Sequence, residues 1–174
     1  MPPTSPSSLA PLRRTAPAGG FSLVEIGMAT LIIGVLASLA MPALQRTLQA
    51  TRVSAVANDL RTFAAAFQHY AQQNGHYPPD ADIGVMPPLM EGSLGTSSWT
   101  HVTPIGGYYN WEYNRISAGV QYRAGIGIRT KLPSSVTTDR TLLLAIDRLI
   151  DDGNLATGSF FLGIGNEPFL AIER

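Results

Sequence analysis

Residues Phe21–Leu44 read FSLVEIGMATLIIGVLASLAMPAL, and the reading of that stretch decides the fold. From Ile26 to Gln45 the chain runs 20 residues without a charged side chain. Wound as an α-helix at about 1.5 Å per residue, such a run spans roughly 30 Å, the thickness of one hydrocarbon core. A secretory signal peptide is the competing reading. Its apolar region is shorter, about 7–15 residues, and cleavage follows that region at an Ala-x-Ala pattern. Here the run is longer and Ala37–Ala40 (ASLA) makes a poor cleavage site, so the segment is expected to be retained.

The helical pattern continues past the apolar run. Val53, Val56, Leu60, Phe63, Phe67 and Tyr70 follow one another at spacings of 3, 4, 3, 4 and 3, a stripe along one helix face. Arg52, Asp59, Arg61 and Gln68 lie largely off it, and alanines at 55, 57, 64, 65, 66 and 71 favour helix. Asn74-Gly75 supplies a stop, with Pro78 and Pro79 beyond. One helix from about Ser22 to Gln73 would be roughly 75–80 Å long. The stripe covers under three heptads, short for a coiled coil, and predicts packing on a sheet formed later in the same chain.

Residues 1–20, MPPTSPSSLAPLRRTAPAGG, hold five of the 13 prolines, the Arg13-Arg14 pair and no acidic residue. Such a composition buries too little apolar surface to offset the entropy of ordering, and no fold is expected there. Residues 75–174 suffice for a modest core. Gly75–Gly107 is rich in Pro, Gly and Ser and reads mostly as loop. Tyr108–Tyr113 (YYNWEY) is a short aromatic strand candidate. Val120, Tyr122, Ala124, Ile126 and Ile128 alternate with Gln121, Arg123, Gly125, Gly127 and Arg129, the period of a half-buried strand. Leu142, Leu143, Ile146, Leu149 and Ile150 form an amphipathic helix with Asp139 placed to cap it. Ser159–Ile164 and Phe169–Glu173 flank Gly165-Asn166-Glu167-Pro168 and read as a hairpin. The fold class is α+β: one long helix, then a small antiparallel sheet.

Composition narrows the function. Twelve basic residues balance 12 acidic ones, which argues against sequence-independent nucleic-acid binding, and no direct nucleic-acid partner is expected. The absence of cysteine excludes disulfides, thiolate zinc sites and a cysteine nucleophile. Charged residues make up 14% of the chain, against ~25% in an ordinary soluble domain.

The most informative segment is Gly20-Phe21-Ser22-Leu23-Val24-Glu25. A glutamate near the end of an apolar span is a costly placement, and a glycine just ahead of the span leaves an unobstructed peptide bond on the side of the arginines. Here the chain resembles the type IV pilin and type II secretion pseudopilin superfamily. In that family a leader ends in glycine, the mature chain begins with phenylalanine, its fifth residue is glutamate, and an apolar helix follows. Gly20, Phe21 and Glu25 occupy those positions. Pro42 falls where many members carry a helix-kinking proline, with Gly34 upstream. The motif covers about 25 residues, and Asn74-Gly75-His76-Tyr77-Pro78 extends the likeness more loosely. The leader is longer and richer in proline than the shortest family leaders, and the cysteine pair of many major pilins is absent.

The resemblance implies a pilin-like architecture. Residues 1–20 would be a removed leader, 21–45 the transmembrane and filament-core half of the helix, 46–74 its amphipathic half, and 75–174 the globular sheet region. It also implies cleavage between Gly20 and Phe21 by prepilin peptidase, N-methylation of Phe21, and a role for Glu25 in assembly. A bend at Pro42, and melting between Gly34 and Pro42 on assembly, are expected. Partners would be other pilin or pseudopilin subunits, an inner-membrane assembly platform and the lipid bilayer. Arg46 and Arg52 on the far side nearly balance Arg13 and Arg14, so charge leaves the topology open. The family pattern puts the leader in the cytoplasm of a bacterial cell and the sheet region in the periplasm.

Signs of enzyme chemistry are weak. His69, His76 and His101 show no ligand spacing, and Ser97-Ser98 and Ser134-Ser135 lack a nucleophile-elbow context. Gly125-Ile126-Gly127 lacks the third glycine of a dinucleotide loop and reads as strand packing. Trp99, Trp111 and the tyrosines from 108 to 122 read as core and sheet surface before a ligand platform. Asp151-Asp152-Gly153-Asn154 puts two acids at a helix C-terminus, against the dipole. A bound calcium would relieve that, but the spacing does not complete an EF-hand loop, and a solvated turn is the plainer reading. The expectation is a filament subunit without catalytic residues or cofactor. The alternative is a single-span anchored enzyme or binding domain that does not polymerise.

Overall fold

A computed structural model of the chain describes residues 20–117 and 119–174. The expected leader, apart from Gly20, and its Arg13-Arg14 pair lie outside the described residues. The chain divides into two compact units, the first ending at Pro42 and the second spanning Ala43–Arg174.

Helix α1 runs from Leu23 to Asn74. Ser22 caps it: its hydroxyl accepts from the Val24 N–H (3.3 Å), an amide with no partner inside the helix. At the other end Gly75 takes φ +75°, a left-handed conformation that glycine adopts without strain, and its N–H closes on the Ala71 carbonyl at 2.8 Å.

In the second unit the stripe on α1 is buried as its spacing predicts. Val53, Val56, Leu60, Phe63 and Phe67 share one core with Trp99, Tyr109, Trp111, Ile126 and Ile128. Phe67 stacks on Trp111 with centroids 3.7 Å apart, and Phe63 meets Trp99 and Tyr109 edge-on at 5.0 and 4.9 Å. Such pairs add about 0.5–1.5 kcal/mol each beyond the area they bury.

The sheet has four antiparallel strands in the order β1-β2-β4-β3. Strand β1 (Tyr108–Ser117) is longer than its aromatic start suggests, because it pairs along β2 (Val120–Arg129) as far as Ser117 opposite Val120. Helix α3 (Arg140–Ile150) leads on to the second hairpin, and Asp139 caps it as expected, accepting from the Thr141 N–H at 2.9 Å and the Leu142 N–H at 3.4 Å. Strands β3 (Phe160–Leu162) and β4 (Pro168–Glu173) form that hairpin. β3 is shorter than expected because Ile164–Asn166 winds into a 3-10 turn.

One expectation holds only in part. Strand β2 is half-buried at its start, where Tyr122 and Ala124 are buried and Gln121 and Arg123 exposed, but every residue from Ala124 to Arg129 is buried. Phe169 of β4 lies over Gly125, where a Cβ would stand 2.2 Å from the ring, and the Arg129 side chain covers Gly127. The glycines therefore mark a covered face, backed by a second cluster of Tyr122, Phe161, Phe169 and Ala171. The stretch from Gly75 to Gly107 is mostly loop, as expected, but it does more than connect. It contains the single-turn helix α2 (Thr96–Thr100) and sends Tyr77, Met90, Leu94, Trp99 and Ile105 into the core. Backbone carbonyls there satisfy both buried indoles, Val85 accepting from Trp99 Nε1 (2.8 Å) and Pro78 from Trp111 Nε1 (3.1 Å).

Candidate functional site

The residues singled out by the motif lie in the first unit. Gly20 and Phe21 precede α1, and Phe21 is 78% exposed. Glu25 is exposed in the first turn of the helix. With Ser22 as the cap, Ser22-Leu23-Val24-Glu25 has the Ser-x-x-Glu pattern of a capping box, although the Ser22 oxygen engages the Val24 amide. A carboxylate near an exposed helix N-terminus gains about 0.3–1 kcal/mol from the helix dipole, which offsets part of the cost of an acid beside an apolar run. Sequence reasoning read Glu25 without this local benefit, although the Ser22–Glu25 spacing was there to be seen.

Every described residue from Gly20 to Arg52 is exposed. Within α1, 18 consecutive residues reach a mean hydropathy of 2.1, so the helix is long and apolar enough to cross a membrane. Fourteen large apolar side chains between Phe21 and Leu48 are more than half exposed. At about 1.5–3 kcal/mol per side chain, covering them is worth tens of kcal/mol, far more than a domain's net stability. The hydroxyls within the run already have partners in the helix: Thr30 Oγ1 donates to the Ile26 and Gly27 carbonyls, and Ser38 Oγ to Val35 at 2.7 Å. Hydroxyls satisfied in this way need no water. Helix α1 is continuous across Gly34 and Pro42; proline has no N–H to offer the Ser38 carbonyl.

The second unit carries its polar groups as braces. Arg129 pairs with Glu112 at 2.6 Å, both nearly buried, and lies 3.5 Å from Glu167. Tyr109 donates its hydroxyl to Asp59 Oδ2 at 3.0 Å. Burial raises the Asp59 pKa above its ordinary 3.8, and the Tyr109 bond opposes the rise. His69 and His101 are exposed, and His76 Nδ1 lies 3.0 Å from the Tyr77 carbonyl. Ser134 Oγ accepts from the Gly107 N–H at 3.0 Å. Trp99, Tyr109 and Trp111 are fully buried in the core.

Asp151, Asp152 and Asn154 lie in an exposed turn after α3. The Asn154 side chain accepts from the Ala156 N–H at 3.2 Å. Among the described residues, the acids close enough to share a metal ion are Asp147, Asp151 and Asp152. Asp147 was missed in the sequence, although it follows Leu143 by four residues and precedes Ile150 by three, on the flank of the apolar face of α3.

No protein-family model matches the chain, and no curated protein matches it.

Proposed function

We propose that the chain is a structural subunit of a type IV pilus-like or type II secretion pseudopilus filament, cut between Gly20 and Phe21 by prepilin peptidase and assembled through α1. The observation that carries this reading is the exposed apolar helix that begins directly after Gly20-Phe21-Ser22-Leu23-Val24-Glu25. The bilayer covers that surface in the stored subunit, and the α1 helices of other subunits cover it in the filament. The stripe packed on the sheet supports the same reading, since it joins the second half of α1 to the sheet within the second unit.

Glu25 is then an assembly residue. In the stored subunit it lies a few residues from the membrane edge, within reach of water and head groups. In a filament core it needs a cation or a proton. Cleavage creates that cation, the amine of Phe21, and N-methylation keeps its charge. Pairing Glu25 with the Phe21 amine of a neighbouring subunit neutralises both and sets the axial register.

Two measurements test the proposal. Intact mass of the protein from cells containing prepilin peptidase should show loss of residues 1–20 and gain of one methyl group; a mature chain starting near Met41 would identify an ordinary signal peptide instead. Glu25→Ala should leave membrane insertion and the second unit intact while abolishing or sharply reducing filaments. Filaments of normal number and length at wild-type expression would refute the assembly role.

A further inference from the structure

We propose that the hollow between α1 and α3 in the second unit seats the head group of an anionic phospholipid, with Arg46 and Arg148 on its phosphate. The hollow has a volume of about 740 Å³, within the roughly 300–1,000 Å³ of sites that take small molecules. Ala50 and Val53 of α1 and Leu142 and Ala145 of α3 line it with apolar surface, and the two arginines bring positive charge. That combination suits a molecule with an anionic head joined to an apolar body.

The arginines of the two helices stand apart from those of the sheet. Arg115, Arg123 and Arg129 each pair with a carboxylate. Arg46, Arg52 and Arg61 of α1 and Arg140 and Arg148 of α3 are exposed, and among the described residues none of the five forms an ion pair. The acids of the same stretches are engaged elsewhere. Asp59 accepts from Tyr109, and Asp147 is buried. Asp139 also lines the hollow, but its Oδ1 accepts two amides at the start of α3, where the positive end of the helix dipole offsets its charge. The hollow therefore presents a surplus of positive charge to whatever enters it.

Position selects a lipid over a soluble anion or an acidic peptide. Arg46 directly follows the uncharged run Ile26–Gln45 in the same helix. At about 1.5 Å per residue, Arg46 to Val53 covers about 10 Å of helix axis. The head-group layer on each side of a bilayer is about 5–8 Å deep, from the difference between its total and hydrocarbon thickness. With the uncharged run in the hydrocarbon, Arg46 and its neighbours fall in that layer, among the phosphates. A guanidinium can fork onto two phosphate oxygens at once. The glycerol and first methylenes then meet the apolar floor while the acyl chains stay in the bilayer. This inference rests on the reading of α1 as a membrane span; cleavage and polymerisation do not enter it.

The test uses the full chain. Reconstituted with phosphatidylcholine vesicles, it should float with them on a density gradient; a chain left at the bottom would overturn the span and this inference together. In detergent with equal phosphatidylglycerol and phosphatidylcholine, native mass spectrometry should show one phosphatidylglycerol retained in preference. Glycerol phosphate, the same anion without chains, should not displace it. Arg46→Gln and Arg148→Gln should each lower retention about fivefold, and together about 25-fold. Ala50→Trp, which fills the floor, should also lower it. Arg61→Gln, about 22 Å further along the helix than Arg46, should change it by under about twofold. The variants alter exposed side chains, so their thermal midpoints should match wild type. Equal retention of the two lipids, displacement by glycerol phosphate, unchanged retention in the Arg46, Arg148 or Ala50 variants, or an equal loss in Arg61→Gln would overturn the proposal.

Discussion

Asp59 and Tyr109 are joined by one hydrogen bond between α1 and β1, and its energetics depend on pH. Burial holds the folded-state pKa of Asp59 above 3.8, so the unfolded chain releases that proton first as pH rises. The stabilisation is complete below the ordinary value and is lost as pH rises through the raised folded value. Asp59→Asn keeps an acceptor for Tyr109 and removes the titration. The stability of Asp59→Asn relative to wild type should therefore increase with pH over that window and then level off; denaturant unfolding at a series of pH values measures it, and a constant difference would refute the assignment. Sequence reasoning placed Asp59 off the stripe. It sits three residues after Val56 and four before Phe63, on the stripe's flank, where a long partner from the sheet can reach it. Asp147 escaped notice in the same way, because a turn contributed by later residues encloses it. Gly20, Phe21 and Glu25 could be singled out as candidates from the sequence because their pattern is local.

The long helix was legible over its whole length because its two halves carry different signals, an uninterrupted apolar run and then a 3-4 spacing. Phe63 sits at the centre of the second, 3% exposed and edge-on to two rings. Phe63→Ala should cost about 3–5 kcal/mol in unfolding free energy, since Trp99 and Tyr109 cannot both collapse into the space. A loss near zero would show that the stripe is not core. Pro42 belongs to the first signal and weakens it: an interior proline costs a helix about 3 kcal/mol relative to alanine. Pro42→Ala supplies the missing N–H and should slow amide exchange from Gly34 through residue 42 in detergent; unchanged exchange would mean that proline does not loosen this turn. The double-sided burial of β2 was not legible. Gly125 and Gly127 look like gaps in an alternating strand, and the ring that covers Gly125 comes from Phe169, 44 residues later in the chain.

At the scale of the molecule, the second unit draws its core from Val53 onward, and no described residue before Val53 is buried. A fragment spanning Ala43–Arg174 should therefore fold without detergent, stay monomeric, and unfold at the same temperature as that unit within the full chain, as circular dichroism and light scattering would show. Aggregation of the fragment, or a much lower midpoint, would reveal support from the missing segment. The exposure of Gly20–Arg52 also bears on the inheritance of variation. Folding of the second unit places no demand on the identity of the side chains up to Pro42, so a library of substitutions selected only for a folded second unit should accept nearly all of them from Gly20 to Pro42. Any position in that stretch that rejects substitution under selection for the working protein is judged by whatever covers it, and the pattern of tolerance becomes an imprint of that partner.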